Sequence, residues 1–172
     1  LFLEEAVGPS NPKGFKELRK KLDIDICGGE VITTTYEMLE RISEDIYDFV
    51  QPDASVIGGM KAVVDIFSYS AKKGIDTVVH AWGGPIAIMA NYHCAFACNG
   101  NLVEYPMIPF DPEKEMFSDQ RKIKNGRLLK PSGFGIGINM DEKIEKKFQF
   151  DPTAVYSCLL TDRGQPQDDY WK

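Results

Sequence analysis

Five residues able to take, give or hold charge recur at similar places along the chain: Glu4, Glu30, Asp53, His80 and Glu104. They lie at the ends of the short apolar segments LFLEE, IDICGGE, YDFVQPD, DTVVHAW and NLVEYP. Carboxylates and imidazole are the groups of general acid–base chemistry, and histidine titrates near neutrality without help. His80 is one of two histidines. Asp53, one repeat earlier, suits the partner role: a carboxylate accepting from one ring nitrogen fixes the tautomer and raises the basicity of the other. A histidine at a strand end can instead satisfy a backbone carbonyl; the Asp one unit upstream favours the pair. His93 sits mid-helix among Tyr92, Cys94 and Phe96 and reads as a packing or surface residue.

The elements that must position these groups follow one rule: apolar strand, polar tip, turn residues, amphipathic helix. The intervening segments predict helices over 12–22, 34–45, 58–74 and 84–100. In the third, Met60, Val63, Val64, Phe67 and Ala71 fall at i, i+3, i+4, i+7 spacing, which makes one helical face. Gly74 and Gly100 stand where helix C-caps belong. Successive tips lie 26, 23, 27 and 24 residues apart, the length of a strand, a helix and two short loops. Alternating βα units of near-constant period make a parallel sheet with right-handed crossovers. An open doubly wound sheet fits the period equally well. It would usually carry one phosphate loop at a switch point, and neither GxGxxG nor GxxxxGK occurs.

One acid at a strand tip is ordinarily the start of a loop. Five polar tips in register point instead to a (β/α) barrel, whose C-terminal face gathers strand ends into one site. Five units do not close an eight-stranded barrel, and LFLEEA reads as a strand already in progress, so the expected fold is the C-terminal part of one. The double glycines Gly58–Gly59 and Gly83–Gly84 would let backbone approach that face and open helices toward it.

In order along the chain, LEEA, DICGGE, QPDASVIGG, VVHAW, LVEYP and PSGFGIGI resemble the enolase superfamily, in its mandelate racemase and muconate lactonizing branch. GGE, QPD followed by GG, a lone His and EYP in sequence are specific together and weak singly. The resemblance implies a modified (β/α)7β barrel with an N-terminal cap domain, Mg²⁺, and removal of the proton α to a carboxylate through an enediolate. It implies Glu4 and Glu30 as metal ligands, and Asp53, His80 and Glu104 as catalytic groups, with Glu104 beyond the substrate carboxylate. Trp82 is a substrate-wall or barrel-rim residue, and Glu5 a solvated acid or the partner of a lysine. Ala6 departs from the Pro that the family usually places after the two acids. The first metal-ligating Asp and an earlier basic residue would lie upstream of residue 1. On this resemblance, residues 1–110 are later βα units, 111–150 a return segment toward the cap, and 151–172 a polar tail, extended or disordered. The implied activity is a lyase dehydrating an acid sugar, with a racemase or epimerase, or an inactive partial barrel, as alternatives. The expected assembly is a homo-oligomer of the full-length protein.

The composition fits this reading. The chain has 172 residues, 43% apolar and 27% charged, enough for one domain with a core. A net charge of −6 argues against a nucleic-acid surface. No apolar run reaches the roughly 18 residues of a membrane span. The N-terminus carries no basic region or cleavage pattern of a signal peptide. Cys27, Cys94, Cys98 and Cys158 sit in apolar surroundings, as reduced thiols of a cytoplasmic protein would. Cys94 and Cys98, one helical turn apart, suit buried thiols better than a zinc pair.

Overall fold

The computed structural model describes residues 1–106, 116–117, 121–132 and 134–153. Four parallel strands, β1 (Phe2–Glu4), β2 (Asp25–Gly28), β3 (Phe49–Val50) and β4 (Asp76–Thr77), pair in chain order. Helices α1 (Pro12–Lys21), α2 (Thr35–Ser43) and α3 (Met60–Lys73) join them, and α4 (Pro85–Ala97) follows β4. Sequential parallel order with a helix in every crossover is the winding of a barrel wall. The expected fifth strand is reduced to one parallel bridge, Val79 to Val103. A small antiparallel hairpin, β5 (Ile123–Lys124) and β6 (Arg127–Leu128), follows.

The assigned strands are short, but the parallel ladder runs beyond them, and that extension places the tips. Glu5 N donates to Cys27 O, Gln51 N to Gly28 O, Val78 N to Val50 O and His80 N to Pro52 O. The last of these sets His80 beside Asp53.

Ile26, Val50, Val79, Ile42, Ile66, Ile88 and Tyr47 are almost fully buried and form the core between sheet and helices. Phe15 of α1 meets Tyr47 edge-on, with centroids 4.9 Å apart. The side chain of Asn11 accepts from Gly14 N, and that of Thr34 from Glu37 N at 3.2 Å; such caps contribute about 1 kcal/mol each.

Two local expectations are corrected. The buried stripe of α3 is Ala62, Val63, Ile66 and Ser70, while Met60 is exposed. Ser70 faces the sheet, where its Oγ and Thr77 Oγ1 share a buried hydrogen bond of 2.6 Å. At the end of α4 the left-handed residue is Asn99 rather than Gly100, with φ 54°. Gly100 N then reaches back to Ala95 O at 2.8 Å, closing a Schellman turn one residue earlier than expected. Gly74 caps α3 in the left-handed conformation, as its position suggested.

Residues 1–140 form one compact unit, and 141–172 cluster separately. In the second, Asp141 caps the helix α5 (Glu142–Lys147), accepting from Ile144 N. The polar tail beyond residue 153 lies outside the described residues. Among the described residues, no helix is long and apolar enough to cross a membrane.

Candidate active site

Asp53 is buried, 2% exposed, at the end of β3. Its Oδ1 accepts from Ser55 N at 2.7 Å, Ser55 Oγ at 2.7 Å and Asn91 Nδ2 at 2.8 Å. Its Oδ2 faces His80 Nδ1 at 2.7 Å. Burial alone would raise the Asp53 pKa, but the bonds from His80, Asn91 and Ser55 outweigh it and hold the carboxyl below its ordinary value. An ionised carboxylate only accepts, so Nδ1 of His80 donates to it.

That bond turns Nε2 outward. It lies 3.5 Å from Glu30 Oε2 and 3.9 Å from Glu104 Oε2. Burial works against a charged ring, but the Asp53 bond and the charges of Glu104 and Glu30 outweigh it, and the His80 pKa stands above its usual value. Glu104 is held in turn: its Oε2 accepts from Ala81 N at 2.7 Å and its backbone carbonyl from Tyr92 Oη at 3.0 Å. Asp53, His80, Glu30 and Glu104 thus meet at one face of the sheet, where the five-tip pattern put them.

Glu4 joins through Gln51, whose Nε2 donates to Glu4 Oε1 at 2.9 Å. Gln51 is 1% exposed, and among the described residues its buried Oε1 has no hydrogen-bond partner. Glu5 is half-buried and, among the described residues, meets no lysine. Its Oε1 accepts from Gly29 N at 2.7 Å, tying the tip of β1 to the turn that delivers Glu30. Glu5 adopts a left-handed φ of 41°, unusual for a glutamate, to make that reach. Gly29, at φ 111°, permits the turn. Burial raises the pKa of Glu5; it also raises that of Glu30, with Glu4, Glu5 and Glu104 adding repulsion. Crowded carboxylates of this kind are relieved by a cation.

The donor set fits a hard cation: Glu4 and Glu30 offer carboxylate oxygens from neighbouring strand ends, the ligands Mg²⁺ prefers. Among the described residues, no cluster of three or more such side chains has metal-binding geometry. Further oxygens would have to come from elsewhere.

Trp82, half-buried, lies two residues past His80. Gly59 and Gly84 border an apolar cavity of 440 Å³ walled by Ala54, Ser55, Met60, Ile86 and Ala90. Cys94 and Cys98 are free; Cys94 is buried, and its thiol contacts Met60 O at 3.6 Å.

Asn91 and Gln51 escaped sequence reasoning. The signal for Asn91 was present: it is a lone amide in the apolar run PIAIMANY, and a buried amide needs partners. Gln51 stood inside the QPD motif but was passed over for the Asp.

A parallel βα wall with carboxylates and one histidine gathered at its strand tips belongs to the barrel enzymes that work at that face. The chain belongs to the enolase C-terminal domain-like family, whose sequence profile matches residues 1–144, in the mandelate racemase and muconate lactonizing branch. It is 25% identical over 148 residues to the arabinonate dehydratase of Saccharolobus solfataricus, covering 86% of this chain and 40% of that protein. It resembles the crystal structure of the 3,6-anhydro-D-galactonate cycloisomerase from Zobellia galactanivorans, with a TM-score of 0.74, 32% identity, and coverage of 84% and 42%. It also resembles an enolase from Pantoea ananatis solved with D-gluconate and Mg, with a TM-score of 0.72, 30% identity, and coverage of 86% and 36%. The chain therefore spans about two fifths of the length of these relatives.

Proposed function

We propose that this chain forms the later part of the barrel of an acid-sugar dehydratase, with residues 111–150 returning toward a cap domain. The observation that carries the reading is the His80 ring, held by Asp53 at 2.7 Å with Nε2 turned toward Glu30 and Glu104. The named dehydratase and the gluconate-bound neighbour support the substrate class.

Magnesium held by Glu4 and Glu30, with oxygens from the substrate and from an upstream acid, would stabilise charge developing on the substrate carboxylate as the α-proton leaves. Gln51 orients Glu4, and Glu5 fixes the turn that carries Glu30. His80 moves the proton. With an upstream base taking the C2 proton, His80 gives its Nε2 proton to the C3 hydroxyl as that C–O bond breaks. Water leaves, and the enol that remains tautomerises to the 2-keto-3-deoxy acid. Asp53 keeps Nδ1 protonated throughout. Glu104 stands beyond the substrate, and Trp82 walls it. The free cysteines accord with a cytoplasmic setting.

The likeness to a cycloisomerase favours a second reading. Elimination is the same when the leaving oxygen belongs to a ring, except that no water is lost.

The test is to incubate the complete polypeptide containing these residues with a panel of acid sugars and Mg²⁺, and to identify the product. Loss of one water supports dehydration. An isobaric ring-opened product supports the second reading. Inversion at C2 alone, or no Mg²⁺-dependent turnover of any acid sugar, contradicts both.

A further inference from the structure

We infer that Asn91, on α4, is a positioning residue of the Asp53–His80 pair, through its paired bonds to Asp53 Oδ1 and Ala54 N. The inference rests on the role proposed above for that pair.

Asn91 is wholly buried, and its buried neighbours on α4 are Pro85, Ile88, Met89, Tyr92, Cys94 and Ala95. A primary amide in such a setting is costly unless both its ends are bonded. Both are: Nδ2 donates to Asp53 Oδ1 at 2.8 Å, and Oδ1 accepts from Ala54 N at 2.8 Å. The orientation of the amide is unambiguous, because the carboxylate only accepts and the backbone N–H only donates.

The two bonds grip residues 53 and 54 from outside their own loop. The other bonds to Oδ1 come from Ser55, two residues away, and form a local turn that would exist wherever the loop lay. Asn91 is different, since it fixes that turn to a helix 38 residues further along. α4 begins five residues after His80. The chain therefore leaves His80, turns into α4, and returns through Asn91 to hold the partner of His80. With Oδ1 filled by three donors, Oδ2 is the oxygen left for Nδ1, and the direction of Nε2 follows. An Asp at position 91 would set a second carboxylate against the first; a Leu would leave Ala54 N bare.

The test uses the complete polypeptide at one fixed pH with saturating Mg²⁺, as wild type, Asn91→Ala and Asn91→Ser. The measurements are kcat and KM on the best acid sugar, thermal unfolding, and the ring proton and nitrogen resonances of His80. Misplacing a reacting group by about 1 Å costs on the order of 10²-fold. Both variants should lose kcat by about that factor with little change in KM, and the Nδ1 proton resonance of His80 should move. Ser is the variant that keeps the test open if Ala does not fold. Unchanged kcat and an unmoved His80 resonance, whatever the melting temperature does, would overturn the inference. If wild type turns over no acid sugar, the substrate reading falls, and the His80 resonance alone decides. Moved by the Asn91 substitutions, it supports the positioning role; unmoved, it overturns it.

Discussion

His80 Nδ1 lies 2.7 Å from Asp53 Oδ2, although 27 residues separate them in the chain. The bond exists because β3 and β4 are parallel neighbours and the ladder continues past both strand ends, with His80 N donating to Pro52 O. Backbone register, rather than side-chain reach, brings the two together.

A pair held this way acts as a unit. Asp53→Asn and His80→Asn should each lower kcat by a similar factor, and the double variant should lose little more than either alone. Steady-state kinetics on the four proteins check this. Losses that multiply would mean the two residues act separately.

The pair also makes stability depend on pH. Unfolded values are about 3.9 for Asp and 6.5 for His. Asp53 is lowered by folding, despite the opposing effect of burial, so its contribution is present above about 3.9 and is lost as pH falls through the folded value. His80 is raised, again against burial, so its contribution is full below about 6.5 and is lost as pH rises through the folded value. In metal-free protein, wild type should therefore exceed Asp53→Asn in stability most between about pH 4 and 6.5, with the gap narrowing on either side. Denaturant melts across that range measure it. A gap that widens steadily toward alkaline pH would contradict the assignment.

How much of this was legible in the sequence depended on the kind of signal. The tips were legible because a βα period repeats, and Glu30, Asp53, His80 and Glu104 meet where that period put them. What holds the tips was not, because it comes from residues with no period. Asn91 reaches Asp53 from a helix, and Gln51 reaches Glu4 across the strand ends. Glu5 looked like a solvated neighbour of Glu4. Only its left-handed backbone lets its side chain reach Gly29 N, and residue type does not announce that. The face of α3 was misjudged for a related reason. Periodicity found Val63 but not Ala62, Ile66 or Ser70, and Ser70 is buried through its hydrogen bond to Thr77 of β4.

Gly28 is a tight point beneath the site. A Cβ there would stand 2.8 Å from Glu5 Oε1 and 2.8 Å from Cε1 of the buried Tyr47 ring. Tyr47 is held by Arg41 Nη1 at 2.7 Å and cannot retreat freely. Gly28→Ala should cost about 1–3 kcal/mol, the usual range for overpacking, and should also displace Glu5 from Gly29. Chemical denaturation gives the first quantity; an unchanged midpoint would contradict it.

Cys27 and Cys94 should be inert in the folded protein. Burial, with a smaller effect of Cys98, raises the Cys94 pKa to about 11, and Cys27 is pushed up further by burial and by Glu4 and Glu5. The thiolate is the reactive form. Iodoacetamide at pH 8 should label neither residue until the protein is unfolded, as peptide mass mapping would show. Rapid native labelling of Cys94 would mean that α4 opens readily.

The central claim is that His80 moves a proton in the reaction, and its most direct test is the turnover of His80→Asn in the complete polypeptide with saturating Mg²⁺ and the identified acid sugar. General acid–base groups contribute about 10²–10⁴-fold, so kcat should fall by a factor in that range while the variant still folds and binds substrate. Wild-type turnover by His80→Asn would contradict the account, leaving His80 a structural partner of Asp53.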